Sequence, residues 1–193
     1  CKQVLDERAE VVLCTSKVDI VNQDGKVIEH YSERQDLPQA LASERFIASR
    51  EQDSWCNAVY GLMRADMLRR TAVMGNYVGS DVVLLAEISL YGCFAEVPEY
   101  LLFRRHHPGA YSYGVNLEKM REFYAPSRTR GTWLVFRTWR HLFEYTRAVI
   151  RAPLSDSEKC RLFAYILRMT WWRKDRLVSE VVAALRSFLG GQL

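Results

Sequence analysis

The 193-residue sequence has no apolar run of the length that crosses a bilayer as a helix, about 18 residues, so no membrane span is expected. It has no basic, then apolar, then small-residue leader, so secretion is not indicated and a cytoplasmic setting is expected. Cysteines are few and scattered: Cys1, Cys14, Cys56, Cys93 and Cys160 are odd in number and none has CxxC spacing. A cysteine-built zinc site and a disulfide framework are therefore both disfavoured, and buried reduced thiols are expected. Neither a Walker A loop nor a Rossmann glycine fingerprint occurs. No internal repeat or low-complexity segment is visible. No Ser-His-Asp arrangement can be argued, because its members need not be neighbours in sequence. The chain opens on Cys1 instead of Met, which suggests a fragment or a processed product.

What is present is a globular composition, 49% apolar and 26% charged, enough for one domain with a sizeable core or one domain with a helical appendage. The net charge of +4 is unevenly spread. Residues 1–116 carry 12 Lys/Arg against 16 Asp/Glu, whereas residues 117–193 carry 15 against 7. The basic half is suited to phosphates, an anionic membrane or an acidic partner.

Residues 2–8 read as the end of a helix. "AEVVLCTSKVDIVNQDGKVIEHY" reads as two β-rich strands around an Asn22–Gly25 turn. Pro38 is placed to open a short helix through Ile47. "WCNAVYGLMR" has β character up to Gly61, and "RADMLRRT" is helical. Ser80 is the expected N-cap of a helix over 81–90, stopped by Gly92. "CFAEVP" and "EYLLFRRHH" follow as two extended segments, and strand, helix, strand is α/β punctuation. Three amphipathic helices then follow. The first places Trp139, Leu142, Phe143, Thr146, Val149 and Ile150 on one face. The second carries Leu162, Tyr165, Ile166 and Met169, after Pro153 and a Ser155/Glu158 capping box. The third has a stripe of Val178, Val181, Val182, Leu185 and Leu189.

Asp81 stands in the first turn of its helix. There the macrodipole stabilises a carboxylate by about 0.3–1 kcal/mol, and the same position suits a general base taking a proton from an acceptor hydroxyl. Glu87, about 240° further round, does not share its face. In "FRRHHPG" the adjacent His106 and His107 point to opposite faces of a strand. The cluster reads as a metal ligand, as a phosphate-binding Arg with a polar His, or as a solvated strand end. Arg64, three residues after Gly61 at a helix start, offers a weak phosphate motif. His30 and His141 have no neighbours that single them out. "TWWRKDR" has its aromatics at helical spacing, which favours core packing over a nucleic-acid or membrane surface.

Together, "NAVYGLMRADMLRRT" and "GNYVGSDVVLLAEISLYGCFAEVPEYLLFRRHH" resemble the C-terminal half of the catalytic domain of family 2 glycosyltransferases. In order, Gly61 and Arg64, Asp81, Gly92, Pro98 and Glu99, then Arg105 and His107 match the family's pattern. "VVLCTSKVDIVNQDG" resembles the segment after its metal-binding acidic motif, so the likeness covers about residues 10–112. Ser80 stands where the family often has Glu. No Asp-x-Asp motif occurs, and the family's opening βαβ half is absent, so the chain is expected to be a truncated transferase, inactive alone.

The resemblance implies an α/β fold: a partial nucleotide-diphospho-sugar transferase sheet with flanking helices over residues 1–114, and an all-helical basic region over 115–193. It implies an inverting transfer from a nucleotide-sugar donor to a saccharide or lipid-linked acceptor. Asp81 is the implied base, with Arg64, Arg105 and His107 on the donor-phosphate side. A divalent metal, Mg or Mn, is implied, touched by His107 and held mainly by residues upstream of residue 1. Trp55 offers a stacking face for an acceptor sugar and, equally, a core side chain. Three roles are open to the helical tail: covering the acceptor side, pairing two copies as a homodimer, or lying on a membrane surface. No nucleic-acid partner is expected. The rival readings are a non-catalytic module binding an anionic ligand (nucleic acid or membrane surface) through the basic half, and a structural remnant without activity.

Overall fold

The computed structural model describes residues 1–51, 56–106 and 136–190, with side chains up to residue 186. The fold is α/β, built on a mixed four-stranded sheet. Helix α1 (Lys2–Glu7) leads into the central strand β1 (Val11–Val21), buried along almost its whole length. Antiparallel β2 (Val27–His30) pairs with its C-terminal end, and the two-residue β3 (Leu62–Met63) with Leu13 and Cys14. β4 (Cys93–Arg105) runs parallel to β1 from Val11 to Val21. A strand has two edges, so β2 and β3 share the one that β4 leaves. A strand covered on both edges and both faces reads as a near-continuous apolar run.

The two extended segments expected around Pro98 form this single strand. The register jumps from Ser16↔Val97 to Lys17↔Tyr100. Pro98, which has no N–H to give a ladder, therefore sits in a bulge and does not end the strand. Helix α2 runs over Ala42–Glu51, later than Pro38 suggests. Leu37 exchanges two main-chain hydrogen bonds with Phe94, which draws the residue before Pro38 into an extended bridge. Asn57–Tyr60 form a 3₁₀ turn, not a strand. Gly61 passes so close to β1 that a Cβ would meet the Cys14 carbonyl at 2.8 Å. α3 spans Ala65–Leu68 and α4 Ser80–Ile88. Ser80 is inside α4 and buried, and the cap position belongs to Gly79 at φ +80°.

α4 is apolar all round because two layers claim it. Leu85 and Ile88 pack on the sheet with Val12, Leu13 and Phe94. Val83, Ala86 and Leu90 pack with Phe46 of α2 and with the helices that follow, α5 (Arg137–Arg151), α6 (Asp156–Trp172) and α7 (Lys174–Gly190). One core thus joins residues 42–90 to residues 142–177. The expected domain boundary at 114/115 lies outside the described residues.

α6 buries the stripe expected of it, Leu162, Tyr165, Ile166 and Met169. Ser155 caps it by accepting the Glu158 N–H, but the Glu158 carboxylate reaches across to the Ser43 N–H at 3.0 Å. α5 is rotated by about one residue, or about 100°, from the expected face. Thr138, His141, Leu142, Tyr145, Ala148 and Val149 are inside, while Trp139, Phe143 and Ile150 are exposed. The α7 stripe is exposed at Val178, Val181, Val182 and Leu185, and among the described side chains of that helix only Leu177 is buried; Leu189 lies outside them. Trp171 and Trp172 are also exposed, which overturns their assignment to the core. Trp171 lies two residues past Met169, about 200° round the helix from the buried stripe. Arg168 and Lys174 stack on these rings at 4.8 Å and 4.5 Å. None of the five cysteines is in a disulfide. Among the described residues no helix is long and apolar enough to cross a membrane.

Candidate functional site

β1 and β4 are parallel, so their carboxyl ends lie at one edge of the sheet, the edge where open α/β sheets place ligands. α4 returns to β4 through a short turn, and its N-terminus points to that edge. Arg104, near the end of β4, donates from Nη1 to the Asn57 Oδ1 at 2.9 Å. Cys56, next to Asn57, feels the charges of Asp81, Arg50 and Arg104. Four elements distant in sequence thus converge here: the end of α2, the 3₁₀ turn, the mouth of α4 and the end of β4.

Asp81 is partly buried, and its Oδ1 accepts the Val82 N–H at 2.8 Å. Burial, and then the Asp81 carboxylate, push the Cys56 thiol up to about 11, while Arg50 and Arg104 oppose the rise. Cys56 therefore stays a thiol at neutral pH and is no nucleophile there. Asn57 is fully buried, and its Nδ2 has no hydrogen-bond partner. The corner combines an acceptor carboxylate, a guanidinium and an amide donor, which is the polarity needed to take a proton and to stabilise a leaving anion.

The loop before Asp81 is held from two sides. The Glu87 carboxylate accepts the Ala72 N–H at 2.8 Å and bonds Arg151 of α5. His141 of α5 donates from Nε2 to the Val78 carbonyl at 2.8 Å. Burial holds this imidazole down to about 4, against the pull of that carbonyl and assisted by the charges of Arg137, Arg50 and Arg173. A Cβ on Gly79 would meet the His141 ring at 2.7 Å. His141 and Gly79 together set where α4 begins, and so where Asp81 stands.

The other expected site residues fall elsewhere. Arg64 donates to the carbonyls of Val11 at 2.7 Å, Arg8 at 3.1 Å, and Leu5, so its guanidinium ties α1 to β1. Its Nε and Nη2 are committed to main chain at the amino end of β1, away from the carboxyl edge where Asp81 stands. Arg105 is exposed and donates to the Gln23 carbonyl in the β1–β2 turn. Strand alternation aims Arg104, not Arg105, at Asn57. His107 and Trp55 lie outside the described residues. Among the described residues no three His, Cys, Asp or Glu side chains group as metal ligands.

Arg104 carried a readable signal: of two adjacent strand arginines, one must face the helices. His141 carried a weaker one, being three residues from Thr138 and four from Tyr145 on the true inner stripe of α5. No known protein-family model, curated protein or solved structure matches the chain.

Proposed function

We propose that this chain carries the catalytic-base side of an inverting, nucleotide-sugar-dependent glycosyltransferase of the family 2 kind. Asp81 accepts the proton of an acceptor hydroxyl as that oxygen attacks the anomeric carbon. A new C–O bond forms on the face opposite the leaving group. The bond to the diphosphate breaks, and its electron pair departs with the diphosphate. Arg104, bonded to Asn57, supplies positive charge against the departing anion. This role passes to Arg104 from Arg105, whose guanidinium turns to the β1–β2 turn. The divalent metal expected of such an enzyme has no ligand set among the described residues.

One observation carries the reading: a helix-mouth carboxylate stands at the carboxyl edge of a parallel strand pair, and it shares the surroundings of Cys56 with Arg104, which bonds the buried Asn57. The test is Asp81→Asn in the full-length protein as its host makes it. Turnover is expected to fall by about 10²–10⁴ with donor affinity unchanged. Near-normal transfer by the variant would remove Asp81 from the chemistry.

A further inference from the structure

A second feature lies under the helical layer. Arg50, in the last turn of α2, sits 5.1 Å above the ring of Tyr145, and its Nε is buried without a hydrogen-bond partner. Tyr145 is fully buried, and its hydroxyl also lacks a partner. Arg173 follows Met169 by four residues, on the inward side of α6. Burial, and then the Arg50 charge, hold its guanidinium below the usual range. Both arginines are half-buried and can be reached from solvent.

Neither forms an ion pair with a carboxylate of the described residues, although Arg34, Arg140, Arg147, Arg151 and Arg161 all do. Several of the described acids nearby are engaged elsewhere. Glu144 pairs with Arg140 and Arg147, Glu158 takes the Ser43 N–H, and Glu180 takes the Thr138 N–H. Glu51 is felt by Tyr165 but pairs with neither arginine. Two like charges partly out of water, neither in an ion pair with a described carboxylate, repel one another in the empty protein. The buried groups left without a partner here, Arg50 Nε and the Tyr145 hydroxyl, can both donate. A tetrahedral dianion satisfies such a set, and the planar fork of arginine suits its oxygens.

We propose that Arg50, above the Tyr145 ring, and Arg173 together bind a phosphoryl group. The site does not depend on sugar transfer by Asp81. Two sources share this chemistry, a soluble phosphate ester and a phospholipid headgroup. The probes are inorganic phosphate and pyrophosphate by calorimetry, and phosphatidylcholine vesicles with and without phosphatidic acid by co-sedimentation. The proteins are wild type, Arg173→Gln, Arg50→Lys and the exposed control Arg69→Gln. At least one probe should bind saturably. Arg173→Gln should weaken it at least about tenfold, Arg50→Lys should weaken it less, and Arg69→Gln should bind as wild type. Binding of phosphate or pyrophosphate names a soluble ester, and binding of the phosphatidic acid vesicles alone names a headgroup. Without any anion, Arg173→Gln should melt no lower than wild type, because it relieves a repulsion. Failure of every probe, wild-type affinity in Arg173→Gln, or a lower melting temperature of that variant without anion would each overturn the site.

Discussion

Replacing His141 with Gln isolates a single proton. In the folded chain the imidazole is buried, donates from Nε2 to the Val78 carbonyl, and is faced by Tyr77, Tyr145, Arg137, Arg50 and Arg173. Its pKa falls from 6.5 to about 4. The unfolded chain binds the proton at the higher value. Stability from this group is therefore complete above pH 6.5, is lost as pH falls from 6.5 toward 4, and levels off below that. The steepest slope is about 1.4 kcal/mol per pH unit, and the full loss is about 3 kcal/mol. A Gln amide nitrogen can occupy the Nε2 position and donate to Val78 without titrating. At pH 7 the variant should lie within about 1 kcal/mol of wild type. By pH 5 it should have gained about 2 kcal/mol on wild type. Urea unfolding of both proteins across this range gives the difference curve, in which shared carboxylate titrations cancel. Parallel curves, or a His141 ring resonance titrating near 6.5, would refute the burial argument.

Three further substitutions test the frame that holds Asp81. Val73 is a β-branched residue at φ 51°, half exposed; Val73→Asn should raise stability by about 1 kcal/mol in urea unfolding, because Asn tolerates the left-handed region. Gly79→Ala combines positive φ with a Cβ 2.7 Å from His141; it should cost at least about 2 kcal/mol by the same measurement, and it should remove the protection of the Val78–Val83 amides from hydrogen exchange. Glu87→Ala strands Arg151 and the Ala72 N–H; it should cost about 3 kcal/mol, the low end for a broken buried pair, since Arg151 is 32% exposed and recovers some water. Thermal melts that leave Glu87→Ala within a degree of wild type would show that the pair is not a tether.

The elements that were legible in sequence are those governed by one strong signal. β1 is rich in β-branched residues because it is central, and α6 shows its stripe because its buried residues, Leu162, Tyr165, Ile166 and Met169, recur at helical spacing. α5 misled because its inner face includes Thr138 and His141, and a search for apolar residues alone slides to the neighbouring stripe of Trp139, Phe143 and Ile150. Ser80 looked like a cap, but a left-handed Gly79 took that place, and backbone handedness is invisible to a pattern of side-chain types. Asp81 could be placed at a helix mouth from sequence. Its companions Arg50, Asn57 and Arg104 could not, because each arrives on a different element.

The charge asymmetry of the chain has a structural account in these contacts. The N-terminal part is acidic and the C-terminal part basic, and they pair across the layer boundary. Arg151 meets Glu87 and Arg161 meets Glu44, at 3.3 Å for the second. Glu87 is buried in α4, where an unpaired carboxylate would cost several kcal/mol. The cation from α5 is therefore part of what lets α4 sit between sheet and helices. That same docking carries His141 to Val78 and Tyr145 beneath Arg50. The helical layer is thus a structural component of the corner that holds Asp81. Arg50 and Arg173 pair with no acid among the described residues, where other arginines at the same boundary do, and that interruption marks the place proposed for an anion from outside the chain.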